Sequence, residues 1–184
     1  VEAGANNGVN QSNTLYFEKY YRWQGLLIEP IPELFIRCRR HRPYCTVVNA
    51  ALVPLGFPDS TVTMHACNLM SIVKGAMRSP DADADHVRRG GEIQNIETHE
   101  VKVPAMALSD ILDQHGIRDV DFLSLDVEGY ELPALQGLDF VRHRPAWMLV
   151  EARFRDEVDA FLDPLYECVD VLSHHDVLYR LRDA

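Results

Sequence analysis

Leu123-Ser124-Leu125-Asp126-Val127-Glu128-Gly129-Tyr130-Glu131 sets three carboxylates within six positions, where an apolar strand gives way to a helix. The strand is expected over Val120 to Leu125, between the turn-forming Gly116 and Gly129. Helical spacing of Leu132, Leu135 and Leu138 follows it,. A continuous apolar strand of this kind suits a parallel sheet buried on both faces. In open sheets of that type ligands bind beyond the carboxyl ends of the strands, so Asp126 and Glu128 stand at the expected mouth of a site.

The pattern continues in both directions. Val1 to Ala3 reads as the end of a first strand, and Gly4 to Gly8 as a loop leading through Ser12, a candidate N-cap, into a helix ending near Tyr21,. Gly25 to Glu29 is a second strand, Glu33 to about Arg40 a helix, and Thr46 to Val53 a third strand,. A helix near Ser109 to Gln114 and one ending at Gln136 flank the central strand. Next come a strand from Ala146 to Glu151 and a helix from Glu157 to Leu162. Val169 to Leu172 and Val177 to Leu181 are close enough to pair as a hairpin,. Alternation of this kind predicts an α/β fold with a mainly parallel sheet. The rhythm breaks from about 59 to 97, where Thr61 to Ala66 reads as a strand and Glu97 to Val103 follows as another, but the segment as a whole is expected to be an irregular insertion, either a substrate-covering loop or a solvated excursion,. A single domain over 1–184 is expected at this length,.

Composition excludes several classes. Eighteen basic against twenty-eight acidic residues give a net charge of −10, and no basic stripe is available to meet a phosphate backbone, so no nucleic acid partner is expected. Cys38, Cys45, Cys67 and Cys168 lack Cys-x-x-Cys and zinc-ligand spacing, and read as reduced thiols. No apolar run approaches the roughly 20 residues of a membrane span. The first residues lack a signal-peptide pattern. A cytoplasmic location is expected, and oligomeric state is not readable.

Glu2-Ala3-Gly4-Ala5-Asn6-Asn7-Gly8 puts glycines where a strand must turn into a helix and let a ligand approach the backbone,. It is not the Gly-x-Gly-x-x-Gly loop of dinucleotide sites, which argues against a nicotinamide oxidoreductase. An acid two residues before the first glycine suits an ammonium group better than a phosphate and points to an amino-acid-bearing nucleoside. Glu29, about 20 residues beyond the loop, is placed as an acceptor for a ribose diol. The plain alternatives are ordinary turn glycines and a solvated loop acid.

On these residues the chain resembles the FkbM-like family of S-adenosylmethionine-dependent methyltransferases. The likeness covers Val1 to Gly8, Ser12 to Leu15, Gly25 to Pro30, Val48 to Ala51, Leu108 to Leu112, Asp121 to Gly137 and Val150-Glu151. It implies a Rossmann-like class I methyltransferase fold, with a mainly parallel seven-stranded sheet, helices on both faces and an antiparallel last strand. The implied activity is O-methylation of a sugar, glycan or polyketide-type hydroxyl. By this likeness Gly4, Asn6 and Gly8 line the methionine and ribose part of the cofactor, Glu2 faces its amino group, and Glu29 takes the ribose hydroxyls. Asn49 and Ala50 lie near the adenine. The cofactor side is completed by Ala5, Ser12, Asn13, Pro30 and Asp126. A scaffold that binds without catalysing remains the rival of another class.

Methyl transfer to an alcohol needs a base. Asp126 is the first candidate, Glu128 the second, and Glu151 lies at the adjacent strand's end. Close carboxylates resist joint ionisation, which lifts one pKa toward neutrality. The same Asp126, Glu128 and Glu151 are candidate ligands for a divalent cation such as Mg²⁺. Glu131 either extends the cluster or serves only the positive end of its helix. His174-His175 is expected in a solvated turn. His65 and His99 flank the insertion with no telling spacing.

Overall fold

The strands of this protein are short and are set by runs of β-branched and aliphatic residues. The computed structural model describes residues 1–182; the last two residues of the expected 1–184 domain lie outside the described residues. In chain order the elements are β1 (Glu2–Ala3), α1 (Leu15–Tyr21), β2 (Leu26–Ile28), α2 (Pro32–His41), β3 (Thr46–Val48), β4 (Ala51–Leu52) and β5 (Thr61–Ala66). A 3-10 turn (Asn68–Met70), β6 (Ile72–Val73), α3 (Pro80–Gln94), β7 (His99–Met106) and α4 (Leu108–Gln114) follow. The rest are β8 (Phe122–Leu125), α5 (Glu131–Leu135), β9 (Trp147–Glu151), α6 (Arg155–Leu162), β10 (Tyr166–Val171) and β11 (Asp176–Leu181).

The large sheet has the order β10-β11-β9-β8-β1-β2-β3. Pairings from β9 through β8, β1 and β2 to β3 are parallel, and β11 runs antiparallel to both β9 and β10. Side chains alternate across a strand, and this sorts the helices. Leu26 and Ile28 face the main core with Leu123, Leu125, Met148 and Val150, packed against α4, α5 and α6 through Ile111, Leu112, Leu135, Val158 and Leu162. Leu27 faces the other way and meets Cys38 of α2. Both faces are therefore covered. Each large aliphatic side chain buried in this way contributes about 1.5–3 kcal/mol against exposure.

The expected third strand, Thr46 to Val53, is two strands in two sheets. After Val48 the side-chain amide of Asn49 donates to the carbonyls of Glu29 (2.9 Å) and Pro30 (2.7 Å). These bonds replace ladder bonds and turn the chain, so that Ala51–Leu52 pairs with Ala105–Met106 instead. That begins a second sheet, ordered β4-β7-β5-β6, with a core of Val62, Met64, Val73 and Val103 against Ile31 and Leu34.

Residues 59–97 hold the expected strand at Thr61–Ala66 and are otherwise more regular than expected. They supply β5, β6 and the helix α3. Ser79 Oγ accepts from Ala82 N at 3.1 Å as an N-cap, Pro80 opens the helix, and Asp81 and Asp83 occupy its first turn. Those are ordinary start signals. They were masked by the helix's few apolar residues, because its inner face is made of Asp83, His86, Val87 and Gly90. Among the described residues no helix is long and apolar enough to cross a membrane.

Candidate active site

Parallel strands that end together leave a crevice, and here the ends of β1, β2 and β8 frame a cleft of about 730 Å³, its open mouth included. Gly4 makes the crevice possible. Its φ is +81°, and a Cβ there would lie 1.7 Å from the carbonyl oxygen of Asp126, so the loop can cross the end of β8 only as glycine,. Gly4 N and Ala5 N both donate to Ile28 O, at 3.0 and 3.1 Å.

Glu29, at the end of β2, is 4% exposed and lines the cleft. One carboxylate oxygen accepts from Asn6 N at 2.7 Å and the other from Ile31 N at 2.8 Å. Burial outweighs these two donors and pushes its pKa up to about 7. Gly4, Asn6, Glu29, Pro30, Ala50 and Asp126 are the expected cofactor residues that line the cleft, whose apolar wall includes Ala51, Leu52, Met64 and Val73.

The other expected cofactor residues lie elsewhere. Ala3 turns into the main core, so Glu2 points to the opposite face of the sheet. There its carboxylate accepts from Ser12 Oγ (2.9 Å), Asn13 N (3.0 Å) and Thr14 Oγ1 (2.5 Å), with Arg42 Nη1 at 3.5 Å. This corrects the expectation that Glu2 faces the cleft. Ser12 and Asn13 are drawn into the same network, and Asn13 Nδ2 also donates to Ser124 Oγ at 3.0 Å. Ser12 lies outside α1 but still accepts from Leu15 N at 3.1 Å. Ala5 is core. Gly8 packs on Arg42 and Cys38, and its carbonyl accepts from Arg42 Nη1 at 3.0 Å. Asn49 shapes the cleft through its bonds to Glu29 and Pro30 without lining it.

At the acidic end, Asp126, Glu128 and Glu151 each offer an oxygen within 4.8 Å of the others. Burial first, then a hydrogen bond to Glu151, raises the Asp126 pKa to about 8. The Asp126–Glu151 pair therefore shares a proton near neutral pH,. Glu151 Oε2 is a buried oxygen with no hydrogen-bond partner among the described residues. Glu128 has φ +52°, a left-handed conformation that is rare for a residue with a side chain,. Its carboxylate accepts from Arg153 Nη2 at 2.9 Å, and His86 Nε2 lies 3.7 Å from the same oxygen. Burial lifts the Glu128 pKa to about 7 despite Arg153. Burial and then Arg153 push the His86 pKa down, and its Nε2 lies 3.2 Å from Met70 O. Glu131 is turned inward and accepts from Gly129 N at 2.7 Å.

Arg153 and His86 escaped the sequence reading. Arg153 had a signal, two residues beyond Glu151 at a strand end. His86 had none, because α3 had not been recognised. The hairpin tip carrying His174 and His175 leans on this end of the sheet, where Ala152 N donates to His175 O at 2.8 Å. His65 and His99 sit on the second sheet, away from the cleft lining. All four cysteines are free.

The chain is 30% identical over 151 residues to a protein named Methyltransferase 1 of Beauveria bassiana (strain ARSEF 2860), a match that covers 76% of this chain and 57% of that protein. The matched part is thus little more than half of that relative's length. No solved structure is a significant match. The family model described as the methyltransferase FkbM domain matches residues 2–183. On that match, which spans nearly the whole chain, the protein belongs to the FkbM methyltransferase domain family.

Proposed function

We propose that this chain binds S-adenosylmethionine in the cleft and transfers its methyl group to a hydroxyl oxygen of a sugar, glycan or polyketide-type natural product. The observation that carries the reading is a single cleft framed by the glycine turn after β1, a buried acid after β2 and half-buried acids after β8, with Glu151 of β9 beside them, in a member of a methyltransferase family. The order β3-β2-β1-β8-β9-β11-β10, with β11 alone reversed, supports a Rossmann-like class I methyltransferase fold, read as one domain over 1–184.

The residues present fit the cofactor. Glu29 retains lone pairs for a ribose diol, and Ala50, Ala51, Leu52, Met64 and Val73 offer an apolar wall to a purine. Gly4 and Asn6 bring backbone to the cleft surface. When bound, S-adenosylmethionine supplies a methyl group made electrophilic by its sulfonium. The protein holds an acceptor oxygen in line with that methyl group, which is worth several kcal/mol. It also takes up the proton that the oxygen loses, typically a 10²- to 10⁴-fold contribution. The proton that the acceptor oxygen loses would pass to a carboxylate of the acidic end. Asp126, on the cleft wall, is the first candidate for that base, taking up the acceptor's proton as the proton it shares with Glu151 moves onto Glu151, and Glu128 is the second.

The same carboxylates are hard oxygen ligands suited to Mg²⁺. Their charge is already offset by Arg153 on Glu128 and by the proton between Asp126 and Glu151, which favours the metal-free base.

The test is calorimetry with S-adenosylmethionine and S-adenosylhomocysteine, then mass spectrometry of reactions with small sugars, glycolipids and macrolide-like alcohols. Micromolar binding and a product heavier by one methyl group are expected. No heat with either compound, with binding of NAD instead, would overturn the reading.

A further inference from the structure

Asn6 and Asn68 face each other across the cleft. Asn6 belongs to the loop after β1 and Asn68 to the 3-10 turn between β5 and β6; both line the cleft. Asn6 Nδ2 donates to Asn68 Oδ1 at 3.2 Å. Both backbones are left-handed, with φ of +48° and +50°, a conformation in which asparagine is enriched because its short polar side chain can bond locally.

The bond is one link in a longer path. Asn6 N donates to Glu29 Oε2 at 2.7 Å, and Asn68 Nδ2 donates to Gln94 Oε1 at 3.0 Å. Gln94, at the end of α3, donates in turn to Cys67 O at 3.0 Å and Gly90 O at 3.2 Å. A continuous polar chain therefore joins the acid placed for the ribose to the helix of the 59–97 segment. The second sheet is packed on α2 through Ile31 and Leu34, so it is a fixed wall, and the turn with Asn68 is the part of it that reaches the glycine loop.

We propose that Asn68 is a cofactor-retaining residue: its side chain clasps the glycine loop from the opposite wall and slows escape of the nucleoside held at Glu29. The proposal rests on the S-adenosylmethionine reading above. It gives the 59–97 segment a role in holding the cofactor, beyond forming a wall for the acceptor.

The probe is S-adenosylhomocysteine, with its dissociation rate measured by stopped flow. Asn68→Gly keeps the left-handed backbone and removes the clasp. Dissociation is expected to speed up by about 2- to 12-fold, the worth of one neutral hydrogen bond. Asn68→Asp keeps the oxygen that accepts from Asn6 and is expected to restore most of the slow rate. An unchanged rate in Asn68→Gly, or an Asp variant as fast as the Gly variant, would overturn the clasp even if both melt at lower temperature. In the wild-type protein, hydrogen exchange at the amides of Asn6 and Leu69 is expected to slow when S-adenosylhomocysteine binds, and no change there would overturn it too. Binding with unaltered dissociation strikes the clasp alone, whereas no binding to the wild type strikes the cofactor reading itself.

Discussion

Asp126 and Glu151 bring carboxylate oxygens within 4.8 Å of each other at the ends of two neighbouring parallel strands, β8 and β9, and burial raises the pKa of both. Two half-buried acids can stand this close because a shared proton removes one of their charges,. The pair stands beside the cleft, so its proton is within reach of chemistry there.

Replacing Asp126 with Asn keeps the shape of the side chain and its ability to donate to Glu151 but removes the base. Turnover is expected to fall at least about a hundredfold, with affinity for S-adenosylmethionine little changed. Initial rates of methylated product beside calorimetry check this. Unchanged turnover would remove Asp126 from the role.

Glu29 yields a pH dependence of stability. Its carboxyl titrates near 4.5 in its ordinary state and near 7 when folded, because burial disfavours the charge. Between those values the folded chain holds a proton that the unfolded chain has lost. The contribution is therefore complete below about pH 4.5 and is lost as pH rises through about 7. Glu29→Gln lacks this term. The melting temperature of the variant minus that of the wild type, both ligand-free, should grow between about pH 5 and pH 8, by roughly 2–4 °C for each kcal/mol. A constant difference would contradict the assignment.

Arg42 is almost wholly buried and ion-paired to Glu18, and Glu2 lies 3.5 Å away. It also donates to Ser12 Oγ and Thr14 Oγ1, both at 3.1 Å. Arg42→Met fills the stem's volume but leaves the acids uncompensated. A loss of about 3–5 kcal/mol is expected, visible in thermal or urea melts. A variant as stable as the wild type would show that the network carries no such weight.

Treatment with EDTA is expected to leave methyl transfer intact, since Arg153 and a shared proton already neutralise much of the acidic cluster. Loss of activity restored by Mg²⁺ would instead make Asp126, Glu128 and Glu151 metal ligands.

Much of this site was legible along the chain. The run into Asp126, the glycines after β1 and the acid after β2 are local signals, because each states a strand, a sharp turn and a strand end within a few residues. The split of Thr46 to Val53 was not legible, since both halves carry strand-forming residues and the turn depends on Asn49 reaching carbonyls about 20 positions away. Glu2 was placed at the right strand end and on the wrong side of it, because the face a strand residue takes depends on which helices cover the sheet.

The sequence by itself determined the alternation of strands and helices, the glycine turn at Gly4 and the presence of acids at four strand ends, all consequences of local periodicity and backbone freedom. Only the tertiary structure decided which of those acids share a cleft. It sent Glu2 to Arg42 behind the sheet, kept Glu29 at the opening, paired Asp126 with Glu151, and brought His86, Arg153 and Asn68 to the cleft and its acidic end from distant segments. The physical reason is that burial and partner charge, which set where a carboxylate points and whether it holds a proton, exist only once the faces of the sheet are packed.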